Sequence, residues 1–473
     1  MRSPRLATAL AGFGVAVASA AGFAPQAAAA PAATHPNTAN VSAIAQQIRA
    51  GTLAATHGVH ENCLIPLAGK LVHLGCQSKL VTTSRGSATP MTTATPAGYG
   101  PAELSAAYHL PDAASGSNNT IAIVGVGAYP NLESDLATYR SQYGLPACTT
   151  ANGCLTITDY HGGPPLQPNA ALSSVEESYA TETALDVDMA SASCPTCKIT
   201  MVQIPMNLVK LLLAAQLQLP GALADDFGTA VNEAVNLGAS SVSMSYGLPT
   251  GLQGGYLGTG APAQALHHPG VAVVASSGDS GYTGNQQIWP QEVQWVTSAG
   301  GTTLTKTADG YTNTAWGGVY KKDGSWIGAG SGCATDLGPA VGQPAAVAAN
   351  CKGHRAVSDV SADADPYTGV AVYDTYTPSS GTGGGWLVVG GTSAASPFLA
   401  GLYARAGNLA KVEGPNTMYA APPGTIDDVT GGSNAQGGAA ECTGDGYTAA
   451  VCTGAPGWDG PTGVGVPHGL GAF

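Results

Sequence analysis

The chain is expected to fold as an α/β protein on a predominantly parallel β-sheet flanked by helices. Two observations point there. From about Pro101 onward, apolar β-branched runs alternate with helical stretches, as a parallel sheet with crossover helices requires. The composition is 44% apolar and only 10% charged, with 66 Gly and 32 Pro, which describes a loop-rich chain that still carries a large core. A length of 473 residues suits a single sheet-based domain. Strands are expected over Thr120–Val126, Lys198–Gln203, Ser240–Ser245, Val271–Ala275 and Val293–Ala299. Helices are expected over Ala102–Tyr108, Leu132–Tyr143, Ser174–Met189, Gly228–Leu237 and Ser393–Ala406. Leu208–Leu219 reads as a further helix in the core or beside a cleft, because it is too short to span a membrane and carries Lys210. The last fifty residues are rich in Gly and poor in apolar runs, so a metal ion or a Cys442–Cys452 bridge is expected to order them.

The first thirty residues read as a secretory signal. Arg2 and Arg5 form a positive n-region, Leu6–Ala21 an apolar h-region and Ala27–Ala30 a small-residue cleavage zone. Pro31 disfavours a cut directly after Ala30, so Ala28 or Ala29 serves equally. Residues 31–91 then form a short pro-segment and linker, and 92–473 the main domain. Residues 1–90 hold six Lys and Arg against one acid, Glu61, whereas the remainder holds 10 against 28. Such a basic leader suits a pro-segment docked by charge and released when carboxylates protonate, and equally a plain linker. Thr82–Gly100 has no periodic apolar signal and is expected to be an exposed linker suited to cleavage. The ten cysteines pair by proximity as Cys63–Cys76, Cys148–Cys154, Cys194–Cys197, Cys333–Cys351 and Cys442–Cys452. An even count with a signal segment implies disulfides and an extracellular location. A redox or zinc role for Cys194-Pro-Thr-Cys197 is the lesser reading, since no second such pair exists. No later stretch offers a membrane span, and so acidic a body disfavours nucleic acid. A secreted monomer is expected.

Three segments carry chemistry. Gly390-Gly-Thr-Ser-Ala-Ala-Ser-Pro397 feeds Ser393 into the start of an apolar helix, where glycines permit close approach and helix N–H groups surround the hydroxyl. A Ser hydroxyl needs a base. None of the ten His lies in a His-Gly-Thr-His-like setting, and the strand Thr120–Val126 ends without an Asp to orient one. A carboxylate base is the alternative: Glu182 and Asp186 stand at i, i+4 on one helix face and repel unless they share a proton. By themselves they also fit a solvated acidic face. Asp279, in Ser276-Ser-Gly-Asp-Ser-Gly281 after an apolar strand, lies where parallel sheets build sites, or serves a turn.

In this order, Glu182-x-x-Leu-Asp186, Ser277-Gly-Asp-Ser-Gly281 and Gly391-Thr-Ser-Ala394 resemble the sedolisins, the serine-carboxyl peptidases, from about Gly98 to the C-terminus. The strand Ser241–Gly247 and the stretch Asp359–Pro366 share the likeness. The resemblance implies a subtilisin-like fold: a single catalytic domain with a Gly-rich, calcium-binding C-terminal region. It further implies a secreted endo- or tripeptidyl-peptidase that works in acid on proteins or peptides. Ser393 is then the nucleophile, Glu182 the general base and later acid, Asp186 its orienting partner, and Asp279 a protonated oxyanion donor. Asp428-Val-Thr430 and Gly457-Trp-Asp459 resemble the family's site for one Ca2+, held by side chains of Asp428 and Asp459 and carbonyls of Val429, Ala455 and Gly457; Asp427 could stand in for Asp428.

The chemistry agrees with acid. At about pH 4 an imidazole of pKa ~6.5 is neutral only about 0.3% of the time, whereas a carboxyl of pKa ~4 is half ionised. Activity needs Glu182 ionised and Asp279 neutral, which defines a bell-shaped window. Three departures from the resemblance stand out: the short leader, Leu-Pro-Thr after Ser245-Tyr-Gly247, and a long Met206–Ala224 connection. The competing readings are a neutral subtilisin-type protease and a catalytically silent extracellular binding module on the same fold.

Overall fold

A computed structural model describes residues 38–67, 70–73, 75–112, 119–286, 288–319, 326–377 and 384–473. The expected signal segment, 1–30, lies outside the described residues. The leader does not hang free of the domain: residues 38–91 belong to the same compact unit as the rest. Helix α1 (Thr38–Arg49) buries Val41, Ile44 and Ile48 in the main core, and Arg49 grips Glu103 with two hydrogen bonds of 2.7 Å. Strand β1 (Val59–Glu61) precedes a hairpin, β2 (Leu64–Leu67) and β3 (Lys70–His73), whose base is closed by the Cys63–Cys76 disulfide. Strand β4 (Lys79–Val81) then pairs antiparallel with β1.

The stretch from Thr82 to Gly100 departs from the expected exposed linker. Only 83–90 is largely accessible; Met91, Ala97 and Tyr99 are buried, and Thr92–Thr93 pair with Trp386–Leu387. Its apolar residues are too sparse to show a period, yet each plugs into the body.

The central sheet comprises β5 (Thr120–Val126), β6 (Leu155–Asp159), β7 (Lys198–Ile204), β8 (Ser241–Met244), β9 (Ala272–Ser276), β10 (Thr297–Thr307), β11 (Gly310–Ala315) and β12 (Val360–Asp363). Its order is β11-β10-β9-β8-β5-β7-β6, with β12 also on β10. Every pairing is parallel except the β10–β11 hairpin. Chain order reverses between β5 and β8, and such switch points open a crevice at the carboxyl ends of the strands.

Side-chain alternation splits the core into two layers. Ile121 and Ile123 of β5 face the cluster built by α2 (Ser173–Ser193) and the C-terminal helix α4 (Thr392–Ala406). Ala122 and Val124 face the other side, where α3 (Gly221–Asn236) supplies Phe227 and Val231. Burial on both faces explains why β5 and β8 read as near-continuous apolar or small-residue runs. Helices α2 and α4 pack closely: a Cβ at Gly401 would collide with the Ser193 side chain, and Arg405 Nη1 donates to the Ser193 carbonyl at 2.9 Å. A last antiparallel pair, β13 (Val370–Asp374) and β14 (Gly385–Gly390), runs into α4, and β4 adds to β14.

All five disulfides join the cysteines paired by proximity. The helix at Leu208–Leu217 is not a core helix. Val209 is 65% and Leu217 58% exposed, and of its leucines only Leu211 is buried. The strand expected from Val293 begins at Thr297, because Val293 and Val296 are buried in the preceding turn.

Beneath the sheet edge Arg355 and Asp359 form a fully buried bidentate pair at 2.6 and 2.7 Å, and Tyr419 and the Ser298 N–H also donate to Asp359. Removing one member of such a pair strands the other charge, at a cost of about 3–5 kcal/mol. Arg355→Met is therefore expected to lower the denaturant midpoint by that energy in equilibrium unfolding, and Arg355→Lys by less.

Candidate active site

The three chemistry-bearing segments converge where the carboxyl ends of β8 and β9 meet the first turn of α4. Ser393 begins α4 and is fully buried beneath Gly75–Lys79 of the leader. Gly391 precedes it with φ +106°, a left-handed conformation natural to glycine. A Cβ there would run into the Gln77 carbonyl oxygen and lie 2.6 Å from Asp279 Oδ2. The expectation that glycine permits close approach is met at this residue.

Helix α2 delivers Glu182 and Asp186 to the same place, both fully buried. They are no solvated acidic face. Glu182 Oε2 accepts a very short hydrogen bond from the Ser78 hydroxyl, and Asp186 Oδ1 accepts one of 2.6 Å from Ser245. Glu182 Oε1 and Asp186 Oδ2 are buried with no hydrogen-bond partner. Two orphaned acceptors on carboxylates one helical turn apart are both satisfied by a single shared proton. Burial raises the pKa of both; Glu182 raises Asp186 further, while the nearby hydroxyls pull back. The Ser393 hydroxyl lies close enough to Glu182 to favour its ionised form. In this pose, however, it leans to the Ser245 carbonyl at 3.4 Å and accepts the Gln77 N–H at 3.1 Å.

Asp279 follows β9 in its Gly-rich loop. Its Oδ1 accepts from the Thr392 N–H at 2.8 Å and the Thr392 hydroxyl at 2.9 Å; its Oδ2 faces Lys79 Nζ at 3.1 Å. Burial raises its pKa, against the pull of Lys79 and Thr392. The four residues singled out in the sequence thus share one buried pocket. Missed were Ser245, which orients Asp186, Thr392, which orients Asp279, and the strand Gly75–Lys79. Ser245 and Thr392 sit inside the resembling motifs, so their hydroxyls were legible there; the leader strand left no signal.

The residues expected to bind calcium lie far along the chain, in adjoining C-terminal loops. Gly457 N–H donates to Asp428 Oδ2 at 3.0 Å; Asp459 is fully buried and accepts from Ala455 at 3.1 Å and Thr462 at 2.9 Å. Asp428 helps raise the pKa of Asp459, so the two carboxylates lie near each other, and carboxylate oxygens are ligands that suit a hard cation. Asp427 turns away, to His468 at 3.0 Å.

Fold and pocket together define an α/β chain that gathers a helix-start serine and three carboxyls at a sheet's switch point. Comparison with known proteins narrows this. No family model matches the chain. Kumamolisin from Bacillus sp. (strain MN-32) is 28% identical over 402 residues, covering 80% of this chain and 63% of that protein. Sedolisin from Pseudomonas sp. (strain 101) is 25% identical over 404 residues, covering 80% and 62%. The solved structure of Pseudomonas sedolisin, a serine-carboxyl proteinase in complex with pseudo-iodotyrostatin, is 24% identical and overlays with a TM-score of 0.60, covering 80% of this chain and 96% of that one. The chain spans less than two thirds of the length of the curated relatives it matches. It is similar to the sedolisins over about 80% of its length, and its fold is subtilisin-like.

Buried carboxyls extend beyond the pocket. Burial lifts Asp365 and Asp374 to about 6 and Glu292 to about 8, and raises Asp188 and Asp363 well above the ordinary range. Between the unfolded value near 4 and these folded values the native state binds more protons than the unfolded chain, so stability falls as pH rises. The thermal midpoint is expected to be higher at pH 5 than at pH 8, with the decline spread from about pH 4 up to the folded values near 6 and 8; scanning calorimetry against pH reads it.

Proposed function

We propose that this chain is a secreted, acid-acting serine-carboxyl peptidase. The observation that carries the reading is the burial of Ser393, Glu182, Asp186 and Asp279 in one pocket with no histidine among them. Ser393 attacks the substrate carbonyl while Glu182 takes its proton and later returns it to the leaving amine. Asp186, held by Ser245, shares a proton with Glu182 and keeps it oriented. The Ser393 N–H and the protonated Asp279 carboxyl stabilise the oxyanion; loss of one such donor costs about 10²–10³ in rate. Thr392 fixes Asp279 Oδ1, which leaves Oδ2 to carry the donated proton. Five disulfides with no free thiol support an oxidising, extracellular location. Among the described residues no helix is long and apolar enough to cross a membrane.

Asp428 and Asp459, with the carbonyls of Val429, Ala455 and Gly457, would hold one Ca2+. A bound ion would offset two neighbouring carboxylates and order a region that has little core of its own. Chelation with EGTA is expected to lower the thermal midpoint by several degrees and to speed hydrogen exchange across 428–459; an unchanged midpoint removes the calcium assignment.

The catalytic reading is tested by cleavage of denatured protein between pH 3 and 5. Ser393→Ala and Glu182→Gln are expected to lose at least about 10³ of kcat/KM. Asp279→Ala should lose about 10²–10³. Asp279→Asn, whose amide donates at every pH, should retain more activity and extend the alkaline limb. Equal activity of wild type and Ser393→Ala overturns the assignment.

A further inference from the structure

Asp427 has no part in the calcium assignment, and its neighbours are of another chemical kind. It closes the short strand Ile426–Asp427, and Asp428 follows it; successive residues of an extended strand point to opposite sides. Asp428 accepts from the Gly457 N–H, whereas Asp427 meets the imidazole of His468, whose Nδ1 lies 3.0 Å from Oδ2 and 3.1 Å from Oδ1. The ring of His109 stacks on that of His468, with centroids 4.2 Å apart and planes 19° from parallel. One ligand-type atom from each of His109, Asp427 and His468 lies within 4.8 Å of the other two.

Three segments remote in the chain build this group, and backbone hydrogen bonds hold each in place. Ile426 and Asp427 pair antiparallel with Pro467 and Val466. His468 N–H donates to the Thr425 carbonyl at 3.0 Å, and Gly469 N–H to the Tyr108 carbonyl at 2.8 Å. His109 takes a left-handed φ of +52° just past the short helix Pro101–Ala107, a conformation uncommon outside glycine. Behind it Tyr108 is anchored in the core: its ring packs on Phe398 of α4, and its hydroxyl accepts the Asp363 N–H at 2.7 Å. The backbone of the group is therefore fixed. Its side chains are not buried: His109 and Asp427 are exposed and His468 partly so, which leaves the ligand atoms open to solvent and the rings room to turn.

We infer that His109, Asp427 and His468 form a surface site for one borderline divalent cation of the zinc type, separate from the residues proposed for calcium. Two imidazoles and a carboxylate suit zinc and its neighbours in the transition series, whereas calcium takes oxygen ligands alone. Two ligands of one tetrahedral Zn2+, each about 2.0–2.1 Å from it, stand about 3.3 Å apart. The His468–Asp427 separation of 3.0 Å is already close to that. Turning the exposed His109 ring out of its stack supplies the third ligand, and water supplies the fourth. The ion would join the end of the Pro101–Ala107 helix, the strand leading into the Asp428 loop, and the chain beyond Val466–Pro467. These ligands meet only in the folded chain, so the ion binds the native state and stabilises it. The site is a staple across the seam between the C-terminal region and the body, and it holds whether or not the peptidase reading does.

The test titrates Zn2+ into the full chain at about pH 7.5, since metal ligands must be deprotonated, with excess Ca2+ present to occupy any hard-cation site. Calorimetry is expected to show one Zn2+ bound per chain, and the thermal midpoint to rise by several degrees. His109→Ala, Asp427→Asn and His468→Ala should each weaken binding at least about tenfold, the lower end of what even the outer partners of a ligand cost. His109→Ala removes an exposed ring, so its midpoint in EDTA should match wild type, which separates lost binding from lost folding. Hydrogen exchange at the His468 and Gly469 amides should slow on addition of Zn2+ in wild type and stay unchanged in His109→Ala. Equal affinity in wild type and all three variants places the ion elsewhere and overturns the inference. Weakening by Asp427→Asn and His468→Ala but not by His109→Ala overturns the three-ligand site, and a midpoint that excess Zn2+ does not raise overturns it outright.

Discussion

The pocket depends on taking the carboxyls of Glu182 and Asp186 out of water. A carboxylate buried without compensation is expensive, and it responds by holding its proton. Here the removal is done by the packing of α2 against α4, where Gly401 lets the two helices approach to backbone distance beside Ser193. The same contact that buries the acids sets Ser393 at the start of α4 over them. Widening that crossing would let water in, lower both acids toward their ordinary values and unseat the serine from its neighbour. Core packing and proton affinity are coupled through a single helix pair.

The acids of this pocket are one instance of a wider habit of the chain. Asp188, Asp363, Asp374 and Glu292 are also buried carboxyls whose pKa values burial raises. Each accepts backbone or hydroxyl hydrogen bonds, such as Tyr373 N–H to Asp188 at 3.0 Å and Thr181 to Asp374 at 2.6 Å, and none of these four has a close ion-pair partner among the described residues. Arg355–Asp359 is one exception, and there a guanidinium fork matches both oxygens. A chain with so few basic residues to spare meets most of its buried acids with donors that suit the neutral or partly charged form.

Within this economy of charge, Lys79 stands apart. Burial works against its ammonium, yet Asp279, Glu61 and Glu182 outweigh that and raise its pKa. One cation answers three carboxyls at the point where the leader crosses the pocket. The charge contrast between the leader and the body, visible in composition, is thereby concentrated into a single buried contact.

Much of the fold was legible because its signals are local. Runs such as Thr120–Val126 are buried on both faces, so they appear as unbroken apolar stretches, and cysteines close in sequence found each other. The order of the Glu182, Asp279 and Ser393 motifs was also legible, since each lies on one short element. The short strands Leu155–Asp159, Gly310–Ala315 and Gly385–Gly390 were not, because Thr- and Gly-rich pairing surfaces acquire their character only from neighbouring strands. Of the two readings of Leu208–Leu217, core or cleft-side, the core one fails for a related reason: nothing local says whether an apolar run will find a partner. The sequence by itself determined the strand–helix alternation, the disulfide pairs and the identity of the four chemical groups. Only the tertiary structure decided that the acids are buried rather than solvated, and that the leader returns through the pocket to meet them, because burial and long-range strand pairing are properties of the assembled chain and of no segment within it.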